Sequence, residues 1–63
     1  MNKTIMNISV VIPAYNEEKY LPKTLESLDL LERKPDEVIV IDGGSADKTV
    51  QIAKSFGAKV VTD

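Results

Sequence analysis

Two short polar segments of this chain carry residue types that can bind and orient a ligand. A tyrosine ring can stack on a nucleobase, a carboxylate can accept a hydrogen bond from a ligand, and glycine lets a ligand approach the backbone. These residue types and their spacing predict a ligand-binding site and indicate no particular reaction. The candidate residues are Pro13, Ala14, Tyr15, Asn16 and Glu17 in the first segment, and Asp42, Gly43, Gly44 and Ser45 in the second.

The residues of the first segment also have structural explanations. Asn16 suits a turn or a helix cap, and it or a close neighbour is expected to cap the helix that follows. Glu17 and Glu18 suit the positive end of a helix dipole, in its first turn. Tyr15 either covers the end of a strand or stacks on a base. The spacing alone leaves both explanations open.

The second segment has similar alternatives. Asp42 follows an apolar strand, so its carboxylate either accepts from backbone amides of the turn or accepts from a ligand. Gly43 and Gly44 are expected to adopt positive φ angles. Asp47 and Thr49 are interpreted as surface residues of a first helical turn.

Alternating strand and helix patterns must position these two segments. Residues 8–12, 37–41 and 58–61 are rich in β-branched residues and predict strands, the first ending at Pro13 and the second at Asp42. Between the first two, apolar residues recur at spacings of four, three and three and predict one face of a helix that begins near Lys19 or Leu21. These residues are Leu21, Leu25, Leu28 and Leu31.

A second helix is predicted over residues 46–56, with Ser45 as its N-cap and Gly57 in the left-handed position after its end. Its buried face is expected to consist of Val50, Ile52, Ala53 and Phe56.

The order β-α-β-α-β predicts a parallel half-sheet of the α/β class, since parallel strands need long crossovers. Both polar segments then meet at the carboxyl edge of the sheet, and each leads into a helix N-terminus whose free amides favour anions such as phosphate. Right-handed crossovers put both helices on one face. Because the strands are apolar on both faces, we expect the other face to be covered by chain outside this sequence, or by self-association with a second copy.

Composition excludes several classes of function. The 63 residues include no cysteine and no histidine, so disulfides, thiolate metal sites and the commonest general base are excluded. A net charge of -2 argues against a nucleic-acid partner. The glycine pattern is neither a P-loop nor a dinucleotide fingerprint. Residues 1–7 do not resemble a secretory signal, so we expect a location in the cytoplasm or on the cytoplasmic face of a membrane.

Taken with their order and separation, the two segments resemble the opening of family 2 glycosyltransferases, which have the GT-A fold. The likeness runs from Ile8 to Val61, and its residues include Val10 to Glu18, Glu37 to Ser45, Asp47 and Thr49. The resemblance implies a nucleotide-sugar donor and an enzyme that transfers its sugar to an acceptor hydroxyl. It also implies that residues 1–63 are the first part of a GT-A domain.

The resemblance assigns a role to each segment. The first flanks the nucleoside, with Tyr15 against the base and Glu17 near base or ribose, and the second also meets the base. The usual family string has two adjacent acids before Gly-Ser, whereas this chain has Asp42 followed by Gly43. The second acid often bonds the base in uridine-using relatives, so its loss leaves the choice of base open.

The resemblance also places parts of the enzyme beyond Asp63. In the family, the Asp-x-Asp that binds a divalent cation, Mn²⁺ or Mg²⁺, follows a later strand, as does the general base of inverting members. We therefore assign no metal ligand and no catalytic residue to this chain, and we expect it to be inactive alone. The alternatives are a stand-alone α/β module for nucleotide binding or dimerisation and, less compatible with the first segment, a flavodoxin-like or receiver-like domain.

Overall fold

Three parallel strands and two helices alternate along the chain. The computed structural model describes residues 8–63, so the segment 1–7, whose sequence does not resemble a secretory signal, lies outside the described residues. Strand order in the sheet is β1-β2-β3, and both pairings are parallel. The predicted β-α-β-α-β half-sheet is confirmed. Its elements are β1 (Ser9–Ala14), α1 (Leu21–Asp29), β2 (Glu37–Asp42), α2 (Thr49–Ser55) and β3 (Lys59–Thr62).

The core lies between one face of the sheet and both helices. Side chains alternate between the faces of a strand, and every second residue points toward the helices. The buried apolar residues come from β1, β2 and both helices, which shows that α1 and α2 cover the same face as predicted. These residues are Ala14, Leu21, Leu25, Val40 and Ala53.

The opposite face of the sheet carries apolar side chains without a covering layer among the described residues. Val11 and Val61 are exposed, and Ile39 and Ile41 between them are half-buried. The register places Ile41 beside Val61 and Val11 beside Ile39. The bare face that the apolar strands predicted is therefore present.

Helix α1 begins at Leu21, as predicted, with Pro22 in its first turn. It ends at Asp29, so Leu31 lies beyond the helix and is exposed, and its predicted place on the apolar face is wrong. The chain has to turn back through Pro35 to reach β2. That turn ends the helix although the apolar period in the sequence continues to Leu31.

Helix α2 is shorter than the predicted range 46–56. It begins at Thr49 with Lys48 at the N-cap position, so the prediction of Ser45 as N-cap is wrong. Phe56 is the C-cap residue and is exposed, which contradicts its predicted burial. Gly57 has a φ of 84°, which confirms the left-handed position after the helix.

Strand boundaries differ from the predictions by one or two residues. The first strand continues through Pro13 to Ala14, because Pro13 lies on the edge strand, where its missing N–H removes no ladder bond. The third strand begins at Lys59 rather than Ala58. None of the helices within residues 8–63 is long and apolar enough to cross a membrane.

Candidate functional site

The two polar segments leave the sheet side by side. Ala14 and Asp42 are register partners at the carboxyl ends of β1 and β2. Immediately beyond them, the amide of Gly43 donates to the carbonyl oxygen of Ala14 at 2.9 Å. The first loop (residues 15–20) and the second loop (residues 43–48) therefore start in direct contact, as the parallel topology predicted.

Successive backbone amides of the first loop donate to side chains that follow β2. The amide of Asn16 donates to Ser45 Oγ at 2.9 Å, and the amide of Glu18 donates to Asp47 Oδ2 at 3.2 Å. Between them, the amide of Glu17 donates to Thr49 Oγ1 at 2.8 Å. In the other direction, the amide of Ala46 donates to Asn16 Oδ1 at 2.8 Å. The two loops form one hydrogen-bonded unit.

Several amides of the two loops already have hydrogen-bond partners within the chain. The amides of residues 16, 17 and 18 are occupied by side chains, and those of Gly44 and Ser45 donate to the Asp42 carboxylate. With its seven residues, α2 also has only a weak dipole. The edge can therefore present side chains to a ligand, whereas the amides of residues 16–18, 44 and 45 are already engaged.

Asn16 acts as a turn residue rather than as a helix cap. Its φ is 52°, in the left-handed region that asparagine tolerates better than most residues. Tyr20 holds the N-cap position of α1, and no side chain among the described residues caps that helix. Glu17 and Glu18 precede α1 and do not lie in its first turn, so the dipole explanation of these acids is also wrong.

Asp42 organises the turn that follows β2. Its side chain is 2% exposed, and it accepts hydrogen bonds from the amides of Gly44 at 3.1 Å and Ser45 at 3.2 Å. The side chain of Ser45 is the largest cause that lowers the pKa of Asp42 below its ordinary value. The backbone bonds add to it, while burial and the nearby Asp47 oppose it. The structural alternative for Asp42, bonding to turn amides, is confirmed.

A lowered pKa makes the fold sensitive to acid. Because folded Asp42 holds its proton less tightly than the unfolded chain does, it contributes stability above the ordinary aspartate pKa of 3.8. That contribution is lost as the pH falls through the lower pKa of the folded state. We expect the urea concentration at the unfolding midpoint to decrease when the pH is lowered below about 4. Circular dichroism during urea titrations at a series of pH values measures this.

Asp42→Asn supplies the control for this prediction. Asparagine keeps one acceptor oxygen, but its NH2 group is a donor and faces the turn amides, which are also donors. The variant should therefore be less stable than the parent at pH 7. As the pH falls and Asp42 becomes protonated, the difference between the two proteins should narrow. A difference that stays constant down to the acid transition contradicts the assigned role of Asp42.

Tyr15 is an exposed aromatic residue at this edge. Its side chain is 61% exposed and lies against Gly43, where a Cβ atom would be 3.5 Å from Tyr15 Cδ1. A shallow recess of about 310 Å³ opens beside the ring, on the side of the bare sheet face. Its lining consists of Pro13, Ala14, Tyr15, Ile41, Gly43 and Asp63.

The glycines of the second loop differ from each other. Gly44 has a φ of 92°, as predicted, whereas Gly43 lies outside the left-handed region. A Cβ atom at Gly43 would make contacts at ordinary van der Waals distances, so a side chain fits there. The small size of Gly43 leaves one side of the Tyr15 ring open.

Sequence reasoning missed Thr49 and Asp47 as parts of this edge. Thr49 is completely buried, and its hydroxyl donates to Asp47 Oδ1. Burial raises the pKa of Asp47, but hydrogen bonds from Thr49 and from the amide of Glu18 lower it by more. The pKa of Asp47 is therefore below its ordinary value. The sequence gives no periodic signal for a small polar residue that packs against a different loop.

The described residues do not fit a metal ion. Among residues 8–63, no three acidic side chains gather around one point, and the carboxylates of Asp42 and Asp47 are engaged by amides and a hydroxyl. A larger recess, about 350 Å³, lies at the opposite edge, between the amino end of β2 and the C-terminal ends of both helices. None of the candidate residues lines it.

The two loops and the strands that carry them also match a known family. Glycosyl transferase family 2 matches this chain over residues 9–63. The chain belongs to that family. The predicted resemblance is therefore confirmed over both polar segments.

Relatives and solved structures agree with this assignment. 4,4'-Diaponeurosporenoate glycosyltransferase of Staphylococcus haemolyticus is 52% identical over 58 residues, which are 92% of this chain and 15% of that protein. Glucosyl-3-phosphoglycerate synthase of Petrotoga mobilis is 47% identical over 92% of this chain and 19% of its own length.

The crystal structure of glucosyl-3-phosphoglycerate synthase from Mycobacterium tuberculosis with Mn²⁺, UDP and glucosyl-3-phosphoglycerate superimposes with a TM-score of 0.75. It shares 44% identity over 89% of this chain and 20% of that one. Family 2 membership and this superposition identify the half-sheet as the opening of a GT-A fold. The chain spans only about a fifth or less of the length of these relatives.

Proposed function

We propose that this chain is the nucleotide-binding part of a GT-A catalytic domain that transfers a sugar from a nucleotide donor to an acceptor hydroxyl. The observation that carries the proposal is the family 2 match across residues 9–63, which includes both loops of the site. The enzyme's sugar transfer and its substrates are part of this proposal. So is the assignment of residues 1–63 to one partial domain.

The geometry supports binding of the nucleoside rather than the phosphates at this edge. Tyr15 offers an exposed ring for stacking, beside the recess and Gly43. Glu17 is half-buried, and its amide and carbonyl groups make hydrogen bonds within the chain. Its carboxylate is therefore the acceptor that can meet the base or ribose. The Asp42 carboxylate holds the turn after β2 through its bonds to backbone amides. The other proposed contacts are Pro13, Ala14, Asn16, Gly44 and Ser45.

A uridine nucleotide is the donor class that we propose. Solved relatives contain UDP or UDP-glucose, and several also contain Mn²⁺. A divalent cation would balance the charge of the leaving diphosphate. Since the described residues do not fit a metal, we assign the cation to other parts of the enzyme and derive no step through it here. A cytoplasmic location stays a prediction.

Nucleotide titration tests the proposed function directly. The nitrogen-15 amide spectrum of the chain is recorded while UDP, GDP and UMP are added, with and without Mn²⁺. We expect shifts clustered at residues 15–17 and 42–45, with uridine nucleotides preferred and little effect of Mn²⁺. A well-dispersed spectrum that no nucleotide changes contradicts the assigned site.

Gly43 provides a test of base selection. Gly43→Asp places a carboxylate beside Tyr15 at a position where a Cβ fits without strain. If uracil binds there, its N–H can donate to that carboxylate, and UDP affinity should rise about tenfold, the effect of one charge-assisted bond. Gly43→Asn, which has the same size and no charge, is the matched control. Equal UDP affinities for both variants would place the base elsewhere.

The uncovered sheet face supports the alternative of a dimerisation module. Val11, Ile39, Ile41 and Val61 form an apolar surface that a second copy can cover. The translational diffusion coefficient, measured on the titration sample, decides between a monomer and a dimer. If the chain is a dimer and no nucleotide changes its amide spectrum, this alternative is favoured over the transferase.

A further inference from the structure

The completely buried hydroxyl of Thr49 has no role in the function proposed above. It lies at the start of α2, below both loops, and makes a bond to each side: it accepts from the amide of Glu17 at 2.8 Å and donates to Asp47 Oδ1. Asp47 in turn accepts from the amide of Glu18 at 3.2 Å and from the amide of Thr49 at 2.9 Å. We call Thr49 and Asp47 the loop clasp.

The chemistry of the two side chains fixes the direction of these bonds. A hydroxyl has one proton and can rotate it, whereas an ionised carboxylate can only accept. Asp47 therefore accepts a hydrogen bond from the Thr49 hydroxyl, and the lone pairs of that hydroxyl are left to face the Glu17 amide. Because the pKa of Asp47 is lowered, the carboxylate remains ionised at neutral pH. The clasp holds one orientation of the hydroxyl.

The loop clasp holds the backbone at Glu17, and the proposed site depends on the position of that backbone. Asn16, next to Glu17, has a left-handed φ of 52° and is held from the solvent side by Ser45 and Ala46. Of the three bonds donated by the amides of residues 16–18, the one from Glu17 is the most buried. It is therefore the least open to competition by water. It fixes the backbone between the proposed stacking ring of Tyr15 and the carboxylate of Glu17.

We propose that Thr49, oriented by Asp47, is a positioning residue that sets the first loop for nucleotide binding. It acts through the backbone of Glu17 and does not touch the nucleotide. This inference rests on the proposed function for its effect on affinity. Its effect on the Glu17 amide is independent of any ligand.

Three threonine variants separate positioning from simple stabilisation. Thr49→Val keeps the volume and removes the hydroxyl, Thr49→Ser keeps the hydroxyl and removes a buried methyl group, and Thr24→Val makes the same chemical change at an exposed position on α1. UDP affinity is measured by amide titration, and the unfolding temperature by circular dichroism. We expect Thr49→Val to weaken UDP binding about tenfold, since a misplaced contact residue loses its geometry.

The conservative variant distinguishes the two roles. Thr49→Ser should bind UDP within about twofold of the parent although losing the methyl group lowers its unfolding temperature. Thr24→Val should not change affinity. If the affinity of the two Thr49 variants instead follows their unfolding temperatures, the residue is only structural and the inference is overturned.

Amide hydrogen exchange tests the clasp without any nucleotide. In the parent chain, the Glu17 amide should exchange more slowly than those of Asn16 and Glu18, whose bonds are exposed. That protection should be reduced in Asp47→Ala, which removes the acceptor of the Thr49 hydroxyl, and kept in Thr49→Ser. Should the parent bind no nucleotide, the proposed function fails and exchange alone decides: a Glu17 amide that exchanges as fast as its neighbours overturns the inference. This measurement also applies if Thr49→Val does not fold.

Discussion

Replacing Tyr15 by alanine should weaken UDP binding by about tenfold or more, because stacking of an aromatic side chain on a base contributes about 1–3 kcal/mol. The ring is 61% exposed and lies beside the recess at the carboxyl edge of the sheet. Since so little of it is buried, its removal should barely change stability. The loss should therefore appear in the UDP dissociation constant and not in the unfolding temperature.

Tyr20→Ala is a matched control for this result. Tyr20 is 58% exposed and belongs to the same loop, but its ring faces Lys19, whose Nζ lies 5.4 Å from the ring centroid. The same loss of an exposed aromatic side chain at that position should leave UDP affinity unchanged. Equal weakening by both substitutions would mean that general loosening of the loop, and not stacking, explains the effect.

The largest effect on stability is expected at Leu25. This side chain is 3% exposed and packs in the core between α1 and the sheet, and Leu→Ala changes in such positions cost about 2–5 kcal/mol. A single core in a chain of this size rarely supplies more than about 3–5 kcal/mol. We therefore expect Leu25→Ala to be largely unfolded at 25 °C.

Leu30→Ala makes the same change five residues later, at the C-cap of α1, where the side chain is 80% exposed. Its free energy of unfolding should stay within about 0.5 kcal/mol of the parent. Far-UV circular dichroism during urea unfolding measures both variants. Similar midpoints for the two would show that the helix does not pack on the sheet as described.

The sequence predicted the elements and their order because local patterns carry that information. Runs of β-branched residues identified the strands, and the leucine spacing identified α1. The need for long crossovers between parallel strands then placed both loops at one edge. The sequence patterns did not fix where the helices end: Leu31 and Phe56 continue the apolar period, yet both lie outside helices and are exposed.

The candidate site was predicted as a set of residues, but their roles were not all correct. Tyr15 is exposed beside Gly43, and Asp42 binds the turn amides, both within the alternatives that the residue types allowed. Asn16 and Ser45 were expected to cap helices and instead bond across to the other loop. A cap is a local feature that sequence can suggest, whereas these bonds join residues about thirty positions apart.

By itself, the sequence determined the alternation of strands and helices, the edge at which the polar segments lie, and the family, because each depends on patterns or motifs that local order preserves. Only the tertiary structure decided which polar groups remain available to a ligand. Thr49 looked like a surface residue and is completely buried, since the approach of the first loop covers it and takes its hydroxyl as a partner. The same approach occupies the amides of residues 16–18, whereas the Tyr15 ring remains exposed at this edge.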